Sequence, residues 1–340
     1  MENQIDRLIN VQISIEYQAM SGEAYDRILL VGAAPAAPNG PADVGVYTSL
    51  ARVADAGWKN GEPVYDALAV AFAQRNTPRS VVVAIRNEEE GIRTVLERAA
   101  GKEDFYGIYI TEMEEGDLED AAAWAEENDR LLAVTVMDEE KASDSMRVVA
   151  IRSAGEADDY SALAWMAQCF GYDPGSETWA YKTINGVDPG DYTSAQKDQM
   201  EENNVNYYVS VAGSDITYPG KTCGGEFIDN IRFRDWLLSR LQREIFQLFV
   251  ANRKIPFTDA GIALVENRIR YVLKLGQEAG GIVEDTYEGD ELIPGYTVSV
   301  PAAKDISVAE KKQRRLSGIT FQASLTGAIH LVEIKGSVVI

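Results

Sequence analysis

The chain holds one histidine, His330, in 340 residues, and two cysteines, Cys169 and Cys223. With a lone histidine, no Ser-His-Asp set, two-histidine metal site or Cys-His pair can be built without assuming geometry that nothing in the sequence supports. We expect it to be a structural or interface residue of a strand. Two cysteines without metal-like spacing argue for a reducing compartment and against a disulfide framework. Basic residues are also scarce, 32 against 54 acidic, for a net charge of −22. Such a surface repels phosphates, so nucleic acid is not expected as a partner. No apolar run approaches the roughly 18 residues that span a bilayer, so no membrane insertion is expected. MENQIDRLIN lacks a basic stretch followed by an apolar core, and no secretion signal is expected. The hydrophobic share of 46% still suffices for a folded core. These features suit a soluble cytoplasmic product.

Motifs for chemistry are equally sparse. VGAAPAAPNG, 31–40, follows an apolar run as a dinucleotide loop would. It lacks GxGxxG and places prolines where backbone amides should converge on phosphate. AGSD, 212–215, and KTCGGE, 221–226, lack the spacing of a nucleophile elbow. TEMEEGDLED, 111–120, lacks the ligand order of a calcium loop and reads as a solvated loop whose acids favour a helix start. No catalytic residue, cofactor or metal is expected.

What the sequence does contain is α/β patterning. Apolar strands are predicted at 27–32, 80–86, 106–111, 131–136 and 147–152, with helices at 63–74, 91–100, 117–128 and 159–171. Strands alternating with helices of this length indicate a largely parallel sheet. The loop 33–45 is rich in Pro, Ala and Gly and is expected to be exposed. GYDPGSET, 171–178, looks like a junction. Strands WAYKTINGV, 179–187, and VNYYVSVAG, 205–213, a helix near 194–203 and a returning strand at 296–300 are expected to form a second α/β layer. KKQRR, 311–315, reads as a basic turn or strand approach.

The strongest local signal runs from Glu226 to Ile282. Phe227, Ile228, Ile231, Leu238, Leu241, Ile245, Leu248 and Phe249 recur at three- and four-residue spacing, which predicts one long amphipathic helix. Pro256 ends it, Thr258 is placed to cap a second helix, and Gly280–Gly281 stop that one. The first helix is locally basic: Arg232, Arg234, Arg240, Arg243, Arg253 and Lys254 against Glu226, Asp229, Asp235 and Glu244. On an acidic chain this marks either a surface for a particular partner or a solvated face with intrahelical pairs such as Asp235 with Arg232 or Ser239.

Both ends read as strands without local partners. Ile9, Val11, Ile13, Ile15 and Tyr17 alternate with polar residues, followed by a spacer containing Ser21 and Gly22. Near the other end Ile319, Phe321, Ala323 and Leu325 alternate with polar residues. Beyond Gly327 the parity changes, with Leu331, Val332, Ile334, Val338 and Ile340 apolar. A parity change means a bulge, a change of sheet or a fresh start elsewhere.

WAYKTINGV, VAGSDITYPGKTCGGEFIDNIRFRDWL, KIPFTDAGI with its helix and GGI, and FQASLTGAIHLVEIKGSVV together resemble the contractile tail sheath proteins of bacteriophages and phage-tail-like particles. The resemblance covers about Trp179 to Ile340, and 27–160 resembles the family in α/β order alone. It implies an α/β fold of two layers or domains with long amphipathic helices, plus terminal strand arms exchanged between subunits. The implied division is a strand arm at 1–20, an outer α/β domain at 21–175, an inner tube-proximal domain at 176–327 and a strand arm at 328–340. It further implies stacked hexameric rings around a tail tube, contraction that drives the tube through a cell envelope, and baseplate and tail terminator proteins as partners. The implied setting is a virion or phage-tail-like particle assembled in a bacterial host. Arm residues Ile9–Tyr17 and Leu331–Ile340 would meet neighbouring subunits, Ser21, Gly22 and Gly327 would act as hinges, and the six basic side chains of 232–254 would face the tube or the next subunit. Two alternatives stay open: another strand-exchanging scaffold, and an α/β enzyme with a ligand in the loop after Gly32.

Overall fold

The structure is a computed structural model that describes residues 25–36, 43–155 and 159–333. The expected arm at 9–17, the hinge residues Ser21 and Gly22, and Ile334, Val338 and Ile340 lie outside the described residues.

One sheet of eight strands organises the first two thirds of the chain: β1 (Ile28–Gly32), β2 (Val44–Tyr47), β3 (Val81–Ile85), β4 (Gly107–Ile110), β5 (Leu131–Val136), β6 (Val148–Arg152), β7 (Asn206–Val211) and β8 (Ser214–Tyr218). Their order is β2-β3-β1-β4-β5-β6-β7-β8, parallel from β3 through β7 and antiparallel at both edges. The central strands are unbroken apolar runs because helices cover both faces. Ile28 and Leu30 point toward α2 (Pro63–Phe72) and α5 (Ser161–Phe170). Leu29 and Val31 point toward α3 (Ile92–Ala100) and α4 (Asp117–Asn128).

Three expectations change here. Strand β7 pairs in parallel with β6, so VNYYVSVAG extends the first sheet instead of building a second layer. WAYKTINGV is not a strand; it is tied to β8 by the Tyr181 amide donating to the Thr217 carbonyl (2.7 Å) and the Thr217 amide donating to Lys182 (3.0 Å). The loop after Gly32 yields the edge strand β2, followed by the short helix α1 (Leu50–Asp55).

Helices α6 (Ser194–Glu202), α7 (Ile228–Ala251) and α8 (Asp259–Glu278) follow. Thr258 caps α8 by accepting from the Gly261 amide, and Gly280 closes it at φ +88°, where a β-carbon would be strained. Ile228 and Ile231 of α7 belong to the core of the sheet, whereas Phe233, Leu237, Leu241, Ile245 and Leu248 pack with Val265, Ile269, Val272 and Leu273 of α8. A small antiparallel sheet of β11 (Tyr296–Ser299) and β12 (Thr320–Ala323) covers that pair, its inner residues Tyr296, Val298, Phe321 and Ala323 against the helices. The hairpin of β9 (Thr286–Glu288) and β10 (Glu291–Ile293) projects between α8 and β11, and α9 (Val308–Gln313) precedes β12. The KKQRR stretch is thus largely the end of a helix.

Helix α7 lies across the amino ends of the parallel strands, held by buried charge. Arg147, immediately before β6, is wholly buried and donates to both Asp235 of α7 and Asp129. Tyr106, immediately before β4, donates to the same Asp235 carboxylate (2.7 Å), and Tyr25 donates to the Asp235 carbonyl (2.6 Å). One turn earlier Arg232, 1% exposed, pairs with Glu177 and donates to the carbonyls of Tyr172 (2.8 Å), Phe170 (3.1 Å) and Tyr25 (3.2 Å). Arg232 therefore faces inward, which removes it from any tube or neighbour surface. Asp235 pairs with Arg147 and Tyr106 of the sheet side, and Arg232 with Glu177.

Burial, reinforced by the charge of nearby Asp235, pushes the Asp129 carboxyl up to about 8 despite the Arg147 guanidinium beside it. Burial opposes the charge on Arg147, but Asp235 outweighs it and keeps the guanidinium protonated. An acid whose folded pKa is raised loses stability as pH climbs from its unfolded value through the folded one. Asp129→Asn should therefore be at least as stable as the parent at pH 7 and flatten the decline between about pH 5 and 8. Asp235→Ala, which strands Arg147, should cost about 3–5 kcal/mol. Urea denaturation across that pH range checks both, and equal losses for the two variants would refute this division of roles.

Candidate subunit interfaces

Assembly surfaces are sought where the monomer leaves backbone or apolar surface unsatisfied. The β11–β12 sheet is one such place. It has two strands, one face on α7 and α8, and no further strand on either edge among the described residues. Its alternating pattern (Val298 and Phe321 inward, Thr297 and Gln322 outward) is that of a sheet able to accept more strands without changing its core.

The chain leaves this sheet through a fixed path. The Ser324 amide donates to Gly295 (2.9 Å) and the Val283 amide to Ser324 (2.9 Å), while Thr326 is bonded through its amide to Gly281 (3.2 Å) and through its hydroxyl to Gly280 (2.6 Å). Gly327 follows at φ +61°, with open space around it, a conformation glycine adopts without cost. His330 then pins the segment to the body of the molecule. Its Nε2 lies 2.8 Å from the Thr178 hydroxyl, and the Tyr181 hydroxyl donates to its carbonyl. The rings of Phe227, Tyr181 and Tyr218 surround the imidazole at 5.1, 5.8 and 6.5 Å. His330 is not in a strand among the described residues; its role there is an anchor. Around it Ile329, Leu331 and Val332 stand 82%, 77% and 70% exposed. Three exposed apolar side chains within four residues mark a segment that gains by burial elsewhere.

The remaining basic side chains divide into two groups. Arg234 donates to Asp235 (3.4 Å), and Arg240 pairs with Glu244 (3.2 Å). Arg240 and Arg243 line a cleft of about 490 Å³ with Arg79, Trp236, Tyr25 and Tyr172. This cleft opens at the amino ends of the strands, opposite the carboxyl ends at which open parallel sheets bind ligands. Arg253 and Lys254 are exposed at the α7–α8 elbow, beside Phe249 and Val250, which are 46% and 72% exposed. Among the described residues no three His, Cys, Asp or Glu side chains converge as a metal site, and no helix is long and apolar enough to cross a membrane.

Sequence reading missed the aromatic and hydroxyl partners of His330 and the exposed β9–β10 hairpin. The hairpin had a signal, Gly-Asp at 289–290 with Tyr287 and Leu292 two residues out on either side. The anchor had none, since Thr178 and Phe227 are distant in sequence.

Burial lowers the pKa of His330, so the neutral ring is favoured in the fold. A base whose folded pKa is depressed loses stabilisation as pH falls through its ordinary value near 6.5. Protection of the amides of residues 325–333, corrected for the intrinsic slowing of exchange at lower pH, should therefore fall from pH 7.5 to 5, and His330→Ala should be weakly protected at both. Equal protection in parent and variant would show that the anchor does not hold the segment.

Comparison with known proteins places these surfaces in context. A family profile described as the C-terminal domain of the E217 tail sheath protein gp31-like family matches residues 228–338. No curated protein sequence matches. Among solved structures, the helical sheath of the anti-feeding prophage in its contracted state superposes with a TM-score of 0.73 at 14% identity, covering 97% of this chain and 98% of that one. The contracted sheath complex of an extracellular contractile injection system, PVC, gives 0.62 at 12% identity over 97% of each chain. The sheath tail protein Lin1278 from Listeria innocua gives 0.56 at 10% identity, covering 83% of this chain and 90% of that one. Each of these neighbours is described as a sheath, a sheath complex or a sheath tail protein. The chain shares its fold with these sheath structures, and its residues 228–338 match the model of the gp31-like tail sheath C-terminal domain.

Proposed function

We propose that this protein is the structural subunit of a contractile tail sheath. It polymerises as stacked hexameric rings around a tail tube, and the stack contracts to drive the tube through a target envelope. The observation that carries the reading is the pairing of an open β11–β12 sheet with an exposed apolar segment that leaves it at Gly327 and passes His330. Residues 331–340 and 9–17 act as arms that add to the β11–β12 sheets of neighbouring copies. Each arm contributes roughly five main-chain hydrogen bonds at about 1 kcal/mol net apiece, plus burial of its apolar side chains. Arms on Ser21–Gly22 and Gly327 hinges keep copies connected while the rigid bodies slide and rotate.

Arg240, Arg243, Arg253 and Lys254 face the tube or the next subunit. Arg234, half committed to Asp235, sits at the margin of that surface. Baseplate and tail terminator proteins close the two ends of the stack, and the particle is a phage or a phage-tail-like injection device. Contraction draws on energy stored at assembly, through rearranged contacts between rigid subunits.

Negative-stain electron microscopy of the full chain beside a chain ending at Gly327 tests this reading. Hollow striated cylinders from the full chain, and monomers from the shortened one, are the expected pair. A full chain that stays monodisperse and monomeric under crowding and high salt would overturn the sheath assignment.

A further inference from the structure

Helix α8 separates two surfaces of opposite charge. Its 20 residues span about 30 Å. At its carboxyl end Gln277 donates to the Val283 carbonyl (2.9 Å) and to Asp285 (3.1 Å), and the Gly295 amide donates to the same carboxylate (3.0 Å). These bonds fix the base of the β9–β10 hairpin. At its amino end Asp259 accepts from the Ala303 amide (2.8 Å), which fixes the segment leading into α9. The small sheet repeats this polarity. Tyr296 pairs with Ala323 next to the hairpin, and Ser299 pairs with Thr320 next to the 311–315 turn.

The two poles are chemically complementary. On the hairpin Tyr287 and Leu292 are cross-strand partners on one face, 72% and 49% exposed, with Ile293 at 43%. Glu288 stands directly opposite Glu291, and Glu284 and Asp290 flank them, all exposed. Like charges at directly opposed positions destabilise a two-stranded ribbon. Among the described residues, no ion pair includes Glu288 or Glu291 to offset that repulsion. At the other pole Lys312, Arg314 and Arg315 are exposed and also lie outside every described ion pair, next to Val308 at 69% exposure on α9. On a chain of net charge −22, an acidic hairpin is repelled by most of a neighbour's surface and attracted by its basic patches, of which this one also offers an exposed apolar side chain, Val308.

We propose that the β9–β10 hairpin of one copy docks on the 308–315 segment of the next. Glu288 and Glu291 meet Lys312 and Arg315, and Tyr287 and Leu292 cover Val308. Because the two patches sit at opposite ends of α8, the contact is head-to-tail and propagates into a ring or a helix instead of closing as a dimer. This rests on the sheath reading for the existence of an assembly, but not on the strand arms. It also supplies a charge-based register that arm exchange alone, through backbone bonds, does not specify.

Charge reversal with rescue tests it. Three full-length variants are compared with the parent: Glu288→Lys with Glu291→Lys, Lys312→Glu with Arg315→Glu, and all four together. The readout is the protein concentration at which half the material sediments as polymer, at low and high salt, with thermal midpoints confirming the fold. Each double reversal should raise that concentration about tenfold at low salt, and the fourfold variant should return to within about threefold of the parent. Double reversals that polymerise like the parent would overturn the contact while leaving the sheath reading intact. A fourfold variant as defective as the doubles would also overturn it, and would assign the basic pole to a different partner such as a tube. A parent that fails to polymerise would remove the sheath reading and this contact together.

Discussion

The guanidinium of Arg147, buried between Asp235 and Asp129, is the interaction on which the remaining architecture depends. The helical layer of α8 and the small sheet packs on α7, and α7 is joined to the large sheet by its apolar first turns and by charges that have no access to water. An ion pair of this kind adds little net stability over a well-packed apolar contact, since desolvation offsets most of the attraction. What it adds is geometry. A guanidinium with two carboxylates and a tyrosine hydroxyl around it accepts one helix position, and the Arg232–Glu177 pair with its ring of carbonyls fixes the same helix a turn away. Sheet and helical layer then move as one rigid body.

A rigid body with loosely held, apolar edges is a suitable unit for a polymer that changes shape. The α7–α8 layer carries a two-stranded sheet whose edges are open, and the chain leaves that sheet through Gly327 toward an anchor at His330. Backbone pairing between subunits is strong along the strand yet indifferent to which outward side chains it carries. It therefore tolerates large reorientation as long as the connecting segments are long enough. Side-chain contacts behave in the opposite way, being specific and easily broken. A mesh of the first kind with charge contacts of the second lets subunits stay linked while their packing changes, which is what a population shift between two assembled states requires.

Much of the fold was legible because its signals are local. The apolar runs at 28–32, 81–85, 131–136 and 148–152 are strands buried on both faces, and the three- and four-residue spacing from Ile228 to Leu248, with Thr258 and Gly280, marks two capped helices. The failures were non-local or compositional. Strand neighbours are not encoded in a strand's own pattern, so nothing at 205–213 said that it would extend the first sheet. Prolines and alanines at 33–43 concealed the strand that begins at Val44. Arg232 reads as a surface charge by composition, yet Ile228, Arg232, Asp235, Ser239 and Gln242 share one helical face and all are buried. Polar residues in step with an apolar stripe were the available signal. Of the segment that leaves the small sheet, Gly327 stands out in the sequence, whereas the anchor around His330 joins residues some 150 positions apart; most of the alternating arm residues lie outside the described residues.

The most direct measurement is a cryo-electron microscopy reconstruction of the assembled polymer at side-chain resolution. The account predicts that every β11–β12 sheet has gained strands along its edges, and that the added strands trace to residues 9–17 and 331–340 of neighbouring copies. A cylinder whose β11–β12 sheets remain two-stranded, or whose arms fold back on their own subunit, would contradict it.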